Sequence, residues 1–417
     1  MRSALIRFIV NFRSNNIGSI SMIFAGSLFL LIGGAGVAID SLRWQMAIYR
    51  TQTAMDTAVL AAGRVLQLPE TTAETVIDTA QTYYRENQTA NLVSDVVNFS
   101  LIEDSSMVMG NTQGSKINTA FLNIMGFDTL PVNVRSTAAL DTRQTEISMM
   151  LDVTGSMGED NKLENLQIAS KTLIDTVLTD GLIQNQSRIA IIPFSTFVNI
   201  GREYFQAATG TPPFGVGNQY SCVAERDNEN RYTDEPPDIG NYFTHIDNYY
   251  PYDPSRVCPT SSPIMPLSNN KAELKKRIDN FTTVRSSTAG HIGTAWSWYV
   301  LSPKWRDFWL DGHKPASSGE EVRKIAILMT DGDYNAQYSG ERSTVQAEEL
   351  CRNMKNENIT IYTIAFDVSS TSTAGETMQN CATTPTSNYY YNASDGAALK
   401  AAYKDIARQI FSLRLVE

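Results

Sequence analysis

Histidine is scarce in this chain of 417 residues: it has three, His245, His291 and His313. A His-based catalytic triad or a His-rich zinc site therefore has few candidates. The four cysteines, Cys222, Cys258, Cys351 and Cys381, form no C-x-x-C pair, which argues against a zinc ribbon. No G-x-S-x-G, H-E-x-x-H or G-x-x-x-x-G-K-[ST] string occurs, so the common serine-hydrolase, metalloprotease and phosphate-loop signatures are missing. Positive charge is also short, with 34 Lys and Arg against 44 Asp and Glu for a net −10. That balance speaks against nucleic acid, which calls for a clustered basic face.

Charge is absent altogether from residues 17–39, a run of 23 apolar or small residues. About 20 such residues cross the hydrocarbon of a bilayer. Arg2, Arg7 and Arg13 precede the run with no acidic residue among them. The positive-inside rule then places the N-terminus in the cytoplasm and everything after Asp40 outside. No A-x-A site closes the run, as a cleaved signal peptide would require. An extracytoplasmic location makes the four cysteines disulfide candidates. Three pairings are open, and the nearest-neighbour one joins Cys222 to Cys258 and Cys351 to Cys381.

The helical pattern continues past the membrane. Leu42, Met46, Tyr49, Val59, Ala62 and Leu66 recur at helical spacing. No Pro or Gly falls between Asp40 and Ala62, and Pro69 is a natural stop. A helix from Ile17 to Gln67 would be about 75 Å long. Its outer half offers an apolar face, either for this chain's next domain or for similar helices alongside.

Three regions follow. Residues 1–67 read as a cytoplasmic stub, the membrane helix and its extension. Residues 68–142 read as a small α+β domain: a helix over 70–85, strands over 95–102, 106–110 and 131–140, and a helix over 118–125. Residues 143–417 alternate apolar runs with helices. The runs are ISMMLD (147–152), RIAIIPFS (188–195), KIAILMTD (324–331) and ITIYTIAF (359–366). The first helix covers 162–178 and the last 395–411. Continuous apolar strands alternating with helices predict an α/β fold, a mainly parallel sheet with helices on both faces. Residues 202–285 interrupt it with nine of the fifteen Pro, seven Tyr, Cys222 and Cys258. This stretch reads as a disulfide-pinned surface insertion, long for a compact α/β domain.

The chemistry lies at strand ends. Asp152, Thr154 and Ser156 sit where the first strand hands over to its helix, in DVTGS. In a parallel sheet the carboxyl end is where ligands bind. Taken alone, such residues are also common helix caps. Thr288 lies in a loop, RSSTAGHIG, that opens onto another helix, and Asp331 ends the third strand in MTDGD. Five hard oxygen donors on one sheet edge suit Mg²⁺, or Mn²⁺ or Ca²⁺. Asp333, next along, reads as a solvated loop acid. His291 follows Thr288 by three positions and reads as a surface loop residue.

These motifs resemble the von Willebrand factor A domain and its metal-ion-dependent adhesion site over residues 143–415. The resemblance implies a Rossmann-like sheet and a divalent cation held by Asp152, Thr154, Ser156 and Thr288, with Asp331 direct or through water. It also implies a binding module rather than an enzyme, whose metal shell a partner's acidic side chain completes. Thr154 stands where Ser is more usual and keeps the hydroxyl. The segment NNIGSISMIFAGSLFLLIGGAGVAIDSLRWQMAIYRTQTAMDTAVLAAG, together with GTAWSWYVLSP, CATTP and LKAAYKDIARQIFSLRL, resembles TadG-type proteins of the Tad/Flp pilus assembly system. That implies a bacterial inner-membrane protein with a pilin-like helix, a periplasmic bulk, and partners among pilus-assembly or envelope proteins. The other functions considered are a surface adhesin using the same site and a purely structural envelope anchor. Pilin-type processing sites carry Gly followed by Glu at the fifth mature position. Gly18 is present, but Ile23 stands where the Glu would be, which speaks against processing.

Overall fold

The computed structural model describes residues 17–66, 71–102, 107–140, 144–178, 187–213, 221–245, 257–318, 321–410 and 413–416. The N-terminal arginines, Pro69 and parts of the 202–285 stretch lie outside the described residues. The chain forms two compact units, one built mainly from residues 1–140 and one from 141–412.

The first unit is organised on a single helix, α1 (Ile17–Leu66). It is long and apolar enough to cross a membrane. From Ile23 to Ile39 its large apolar side chains are exposed. Beyond that point one face is buried, and it matches the apolar spacing only toward the helix's C-terminal end, at Val59, Ala62 and Leu66. Leu42, Met46 and Tyr49 stay 60% or more exposed. In their place Ala47, Thr51, Ala54, Met55 and Ala58 are buried, in line with Val59, Ala62 and Leu66. The reason is steric: a face rich in alanine lets backbones approach closely, which bulky residues would prevent. Against it lie α2 (Ala73–Asn87) and an antiparallel sheet of β1 (Val97–Ile102), β2 (Met107–Thr112), β5 (Arg135–Leu140) and the C-terminal strand Leu413–Val416. Thr72 caps α2, its hydroxyl accepting from the Thr75 N–H. A small ribbon pairs β3 (Lys116–Asn118) with β4 (Thr129–Pro131). The helix expected over 118–125 shrinks to one 3₁₀ turn, Leu122–Met125, closed by Gly126 at φ 90°. The strand expected from Pro131 to Leu140 is interrupted, because Val132 and Val134 turn into the core between β4 and β5.

The second unit has the expected mixed α/β fold. Five parallel strands run in the order β13 (Tyr390–Ala393), β12 (Thr360–Phe366), β11 (Arg323–Thr330), β6 (Thr145–Asp152), β7 (Arg188–Phe194). The strands read as unbroken apolar runs because both faces are covered. Ile147, Met149 and Leu151 point into one layer with Leu166, Leu173 and Tyr403, from helices Lys162–Val177 and Gly396–Ile410. Met150, Ala190, Ile192 and Phe194 point into the other, with Ile292 and Trp296 of helix Gly290–Tyr299 and Leu350 of helix Ser343–Asn356.

The 202–285 stretch differs from the surface excursion expected of it. Its described part extends the sheet: β8 (Val198–Asn199) pairs with β9 (Cys222–Val223), and β10 (Met265–Ser268) lies antiparallel on β7. Cys222 bonds Cys258 and Cys351 bonds Cys381. All four are 1% exposed or less, so the first bridge lies in the core. Proline-rich composition signalled irregular backbone here, not exposure.

Candidate metal centre

β7 lies on one side of β6 and β11 on the other. The strand order therefore reverses at β6, and the crevice beyond such a switch point is where ligands settle in open α/β sheets. Asp152 is the last residue of β6 and Asp331 directly follows β11. Both are buried, at 0% and 5% exposure.

Four of the five expected residues form one hydrogen-bonded chain. The Thr154 N–H and hydroxyl both donate to Asp152 Oδ1, at 2.9 and 2.6 Å. The Thr154 and Ser156 hydroxyls are 3.1 Å apart. Ser156 Oγ donates to Asp331 Oδ1 at 2.7 Å. Thr288 joins through its backbone. Its N–H donates to Asn335 Oδ1 at 2.9 Å, and its carbonyl accepts from Asn335 and Ala336. The segment before it is pinned to the first motif, with the Val284 N–H donating to the Val153 carbonyl at 2.9 Å. Thr196 Oγ1 holds the Ser287 carbonyl at 2.8 Å. The Thr288 loop is thus fixed between the loops that carry Ser156 and Asp331.

Three further residues were not singled out by sequence. Thr330 Oγ1 donates to Asp152 Oδ2 at 2.8 Å. Lys162, at the first turn of its helix, places Nζ 3.2 Å from Asp331 Oδ2 and 3.0 Å from Asp367 Oδ2. Nothing in its helical pattern marks Lys162 as buried. Asp367 did carry a signal, since it ends the fourth apolar run as Asp152 and Asp331 end the first and third.

The electrostatics point to a missing positive charge. Burial, then the facing Asp331 carboxylate, push the Asp152 carboxyl up to about 7. Burial also raises Asp331, while Ser156 and Lys162 hold it down. Burial works against the Lys162 charge, but Asp367 and Asp331 prevail and its pKa is raised. Two buried carboxylates, Asp152 and Asp331, with one lysine shared between Asp331 and the exposed Asp367, leave a site whose charge a hard cation would balance. Among the described residues no cluster of three or more His, Cys, Asp or Glu is placed to hold a metal. The candidate donor set is instead two carboxylates with hydroxyls, which fits Mg²⁺-type coordination.

Of two neighbours, Asp333 keeps its expected exposure and His291 does not. Asp333 is exposed, yet it does structural work: its Oδ1 accepts from the Ala374 N–H at 2.7 Å in the first turn of helix Thr373–Cys381. His291 is not on the surface but 1% exposed. Its Nδ1 is 2.7 Å from Ser343 Oγ and its Nε2 3.3 Å from Glu225 Oε2.

No similar curated protein sequence was found. Among solved structures, similar ones include the pilus adhesin SpaC from Lactobacillus rhamnosus GG, at 12% identity and TM-score 0.41, over 75% of this chain and 34% of that one. Another is proximal thread matrix protein 1 from mussel byssus with a zinc-occupied MIDAS motif, at 16% identity and TM-score 0.35, over 67% and 50%. A third is the vWF domain of the type V pili tip protein Mfa5 from Porphyromonas gingivalis, at 14% identity and TM-score 0.38, over 64% and 95%. The chain thus spans a third to a half of the length of the first two. Residues 260–405 match the von Willebrand factor type A domain family. That match includes Thr288 and Asp331 and begins after Asp152, Thr154 and Ser156, which the sheet brings to the same edge. Over residues 260–405 the chain carries a von Willebrand factor type A domain.

Proposed function

We propose that this protein is a membrane-anchored, extracytoplasmic binding module that captures protein partners through a divalent cation. The observation that carries the reading is the pair Asp152 and Asp331, buried at the sheet's switch point and linked through Thr154 and Ser156. Asp152, Thr154, Ser156, Thr288 and Asp331 would hold Mg²⁺, or Mn²⁺ or Ca²⁺. The bound cation would supply an open coordination position for an acidic side chain of the partner. The protein acts by binding rather than turnover. In support, both ring nitrogens of His291, the histidine nearest the site in sequence, face Ser343 and Glu225.

The finer assignment is a TadG-like component of Tad/Flp pilus assembly in a bacterial inner membrane. Its N-terminus is cytoplasmic and its bulk periplasmic. The sequence resemblance at both ends supports this, as do an apolar helix of spanning length and two disulfides, which suit an oxidising compartment. The test is capture of envelope proteins from solubilised membranes, with and without EDTA. Capture by the wild type should be lost in EDTA and in Asp152→Ala. Equal capture in all three conditions would refute the reading.

A further inference from the structure

The 3₁₀ turn after β3 is unusual for a surface loop. Residues 119–128 read TAFLNIMGFD. Ile124 is 80% exposed, Met125 65%, Phe127 58% and Phe121 39%. Four large apolar side chains on one short loop form the kind of patch that marks an interaction site.

The loop is fastened to α1 where the apolar run ends. Asp40, the first charged residue after that run, is 1% exposed. Its Oδ1 accepts from the Ala120 N–H at 2.8 Å, and its Oδ2 from Phe121 and Leu122 at 2.8 and 2.7 Å. One turn earlier, a Cβ on Gly36 would lie 2.7 Å from Phe121 Cβ. Glycine at 36 therefore lets the Phe121 side chain lie against the helix. Trp44 Nε1 donates to the Pro131 carbonyl at 2.7 Å and fixes the far side of the hairpin.

The loop's backbone is largely satisfied from within. Asp40 takes three N–H groups. The N–H groups of Ile124, Gly126 and Phe127 donate to the carbonyls of Phe121, Asn123 and Leu122, and Thr119 Oγ1 donates to the Phe127 carbonyl. Such a loop turns apolar side chains outward and few bare polar groups with them. The boundary between headgroups and acyl chains tolerates that combination, whereas each bare backbone group carried deeper into hydrocarbon costs several kcal/mol.

We infer that the Phe121–Phe127 loop is a second membrane contact, inserted into the outer leaflet beside α1. This rests on the reading of residues 17–39 as a membrane span. The occupant is lipid, not another protein. The patch lies against the helix at Gly36 to Asp40, and from there toward the N-terminus the helix is exposed and apolar. The two surfaces are continuous and meet the same medium. Interfacial apolar groups settle about 5–10 Å into the boundary between headgroups and acyl chains. Arg43, one turn beyond Asp40 with its side chain 47% exposed, then stands at headgroup level. A helix held at one point could rotate and tilt freely. A loop inserted beside it fixes both.

The experiment uses the full chain in phosphatidylethanolamine–phosphatidylglycerol vesicles. An environment-sensitive fluorophore is attached through Ile124→Cys, Met125→Cys or, within the span, Leu30→Cys. The native cysteines are all in disulfides, and the three sites are exposed, so folding should survive labelling. Lipids carry a spin-label quencher either near the headgroup or deep in the acyl chain, and iodide serves as the aqueous quencher. Probes at 124 and 125 should be dimmed several-fold more by the shallow lipid quencher than by the deep one, and protected from iodide. The probe at 30 should respond to the deep quencher. If 30 responds but 124 and 125 are quenched by iodide, or by no quencher because protein covers them, the loop inference is overturned and the span stands. If 30 responds to no lipid quencher, the span reading fails and the loop inference with it.

Discussion

Ser156 Oγ donates to Asp331 Oδ1 at 2.7 Å across 175 positions of sequence. The bond joins the loop after β6 to the loop after β11 and closes the chain that begins at Asp152. Because both carboxylates lie on that chain, removing one should cost the cation site as a whole. A divalent cation at a hundred times its Kd stabilises a folded protein by about 2.7 kcal/mol. The wild type should show such a rise in unfolding temperature on adding Mg²⁺ or Mn²⁺, and Asp152→Ala should show none. A rise of equal size in Asp152→Ala would place the cation elsewhere.

The pH dependence follows from Asp152. Its carboxyl is raised from 3.8 to about 7 by burial and by Asp331. Between those values the cation-free folded state holds a proton that the unfolded chain has released. Stability of the cation-free protein should therefore fall as pH rises from about 4 to 7 and then level off. A cation competes with that proton, so stabilisation by Mg²⁺ should grow over the same window. Thermal unfolding with EDTA or Mg²⁺ at several pH values checks both. A stabilisation by Mg²⁺ that is flat from pH 4 to 7 would exclude Asp152 as the coupled group.

Much of this was readable in the sequence because both faces of the sheet are buried. That burial makes β6, β7, β11 and β12 continuous apolar runs, and their carboxyl ends locate Asp152 and Asp331. Thr288 follows no parallel strand, only the antiparallel β10 and helix Lys271–Asp279, so its place beside the edge depends on the bond from the Val284 N–H to the Val153 carbonyl. What stayed hidden depended on tertiary partners. Lys162 looks like any lysine on an amphipathic helix, and only Asp331 and Asp367 make it a buried one. His291 looked like a loop residue because Ser343 and Glu225, its partners, are far away in sequence. The buried face of α1 was legible at Val59, Ala62 and Leu66 but not nearer the membrane, where alanines rather than Leu42, Met46 and Tyr49 make the close contacts.

Lys162 already supplies one positive charge to the centre. Removing it leaves Asp331 facing Asp152 with less screening. Breaking a buried pair by deleting one partner costs about 3–5 kcal/mol, and Lys162 at 8% exposure should fall toward the lower end. Lys162→Met should thus be less stable than the wild type in EDTA by about 3 kcal/mol. It should recover more of that loss on adding Mg²⁺ than the wild type gains, because the ion replaces the missing charge. Chemical unfolding in EDTA and in Mg²⁺ measures both terms. Unchanged stability in EDTA would show that Lys162 does not screen the carboxylates.

The Cys351–Cys381 bridge ties helix Ser343–Asn356 to helix Thr373–Cys381 across 30 residues. Closing a loop of that length removes chain entropy from the unfolded state worth about 3–4 kcal/mol. The double variant Cys351→Ser, Cys381→Ser should lose stability of that order in urea while keeping its cation response, since neither residue belongs to the metal centre. Loss of the cation response in a variant that still folds would show that the bridge also positions the site.

Gly290 gives a test that touches no candidate ligand. It opens helix Gly290–Tyr299 two residues after Thr288, and a Cβ there would lie 2.0 Å from the Tyr334 ring. Tyr334 is only 5% exposed and stands edge-on to Phe194, with ring centroids 6.4 Å apart. The ring therefore has little room to yield. Tyr334 is three residues beyond Asp331 and next to Asn335, whose side chain accepts from the Thr288 N–H. Gly290→Ala should push the loop after β11 away from the Thr288 loop. Overpacking of this kind costs about 1–3 kcal/mol, and cation stabilisation should fall along with global stability. The companion Gly290→Ala, Tyr334→Ala removes the clash at the expense of a cavity. It should regain cation stabilisation even though the fold stays weakened. A single variant that matches the wild type in both stability and cation response would mean that the two loops can move apart without disturbing the centre.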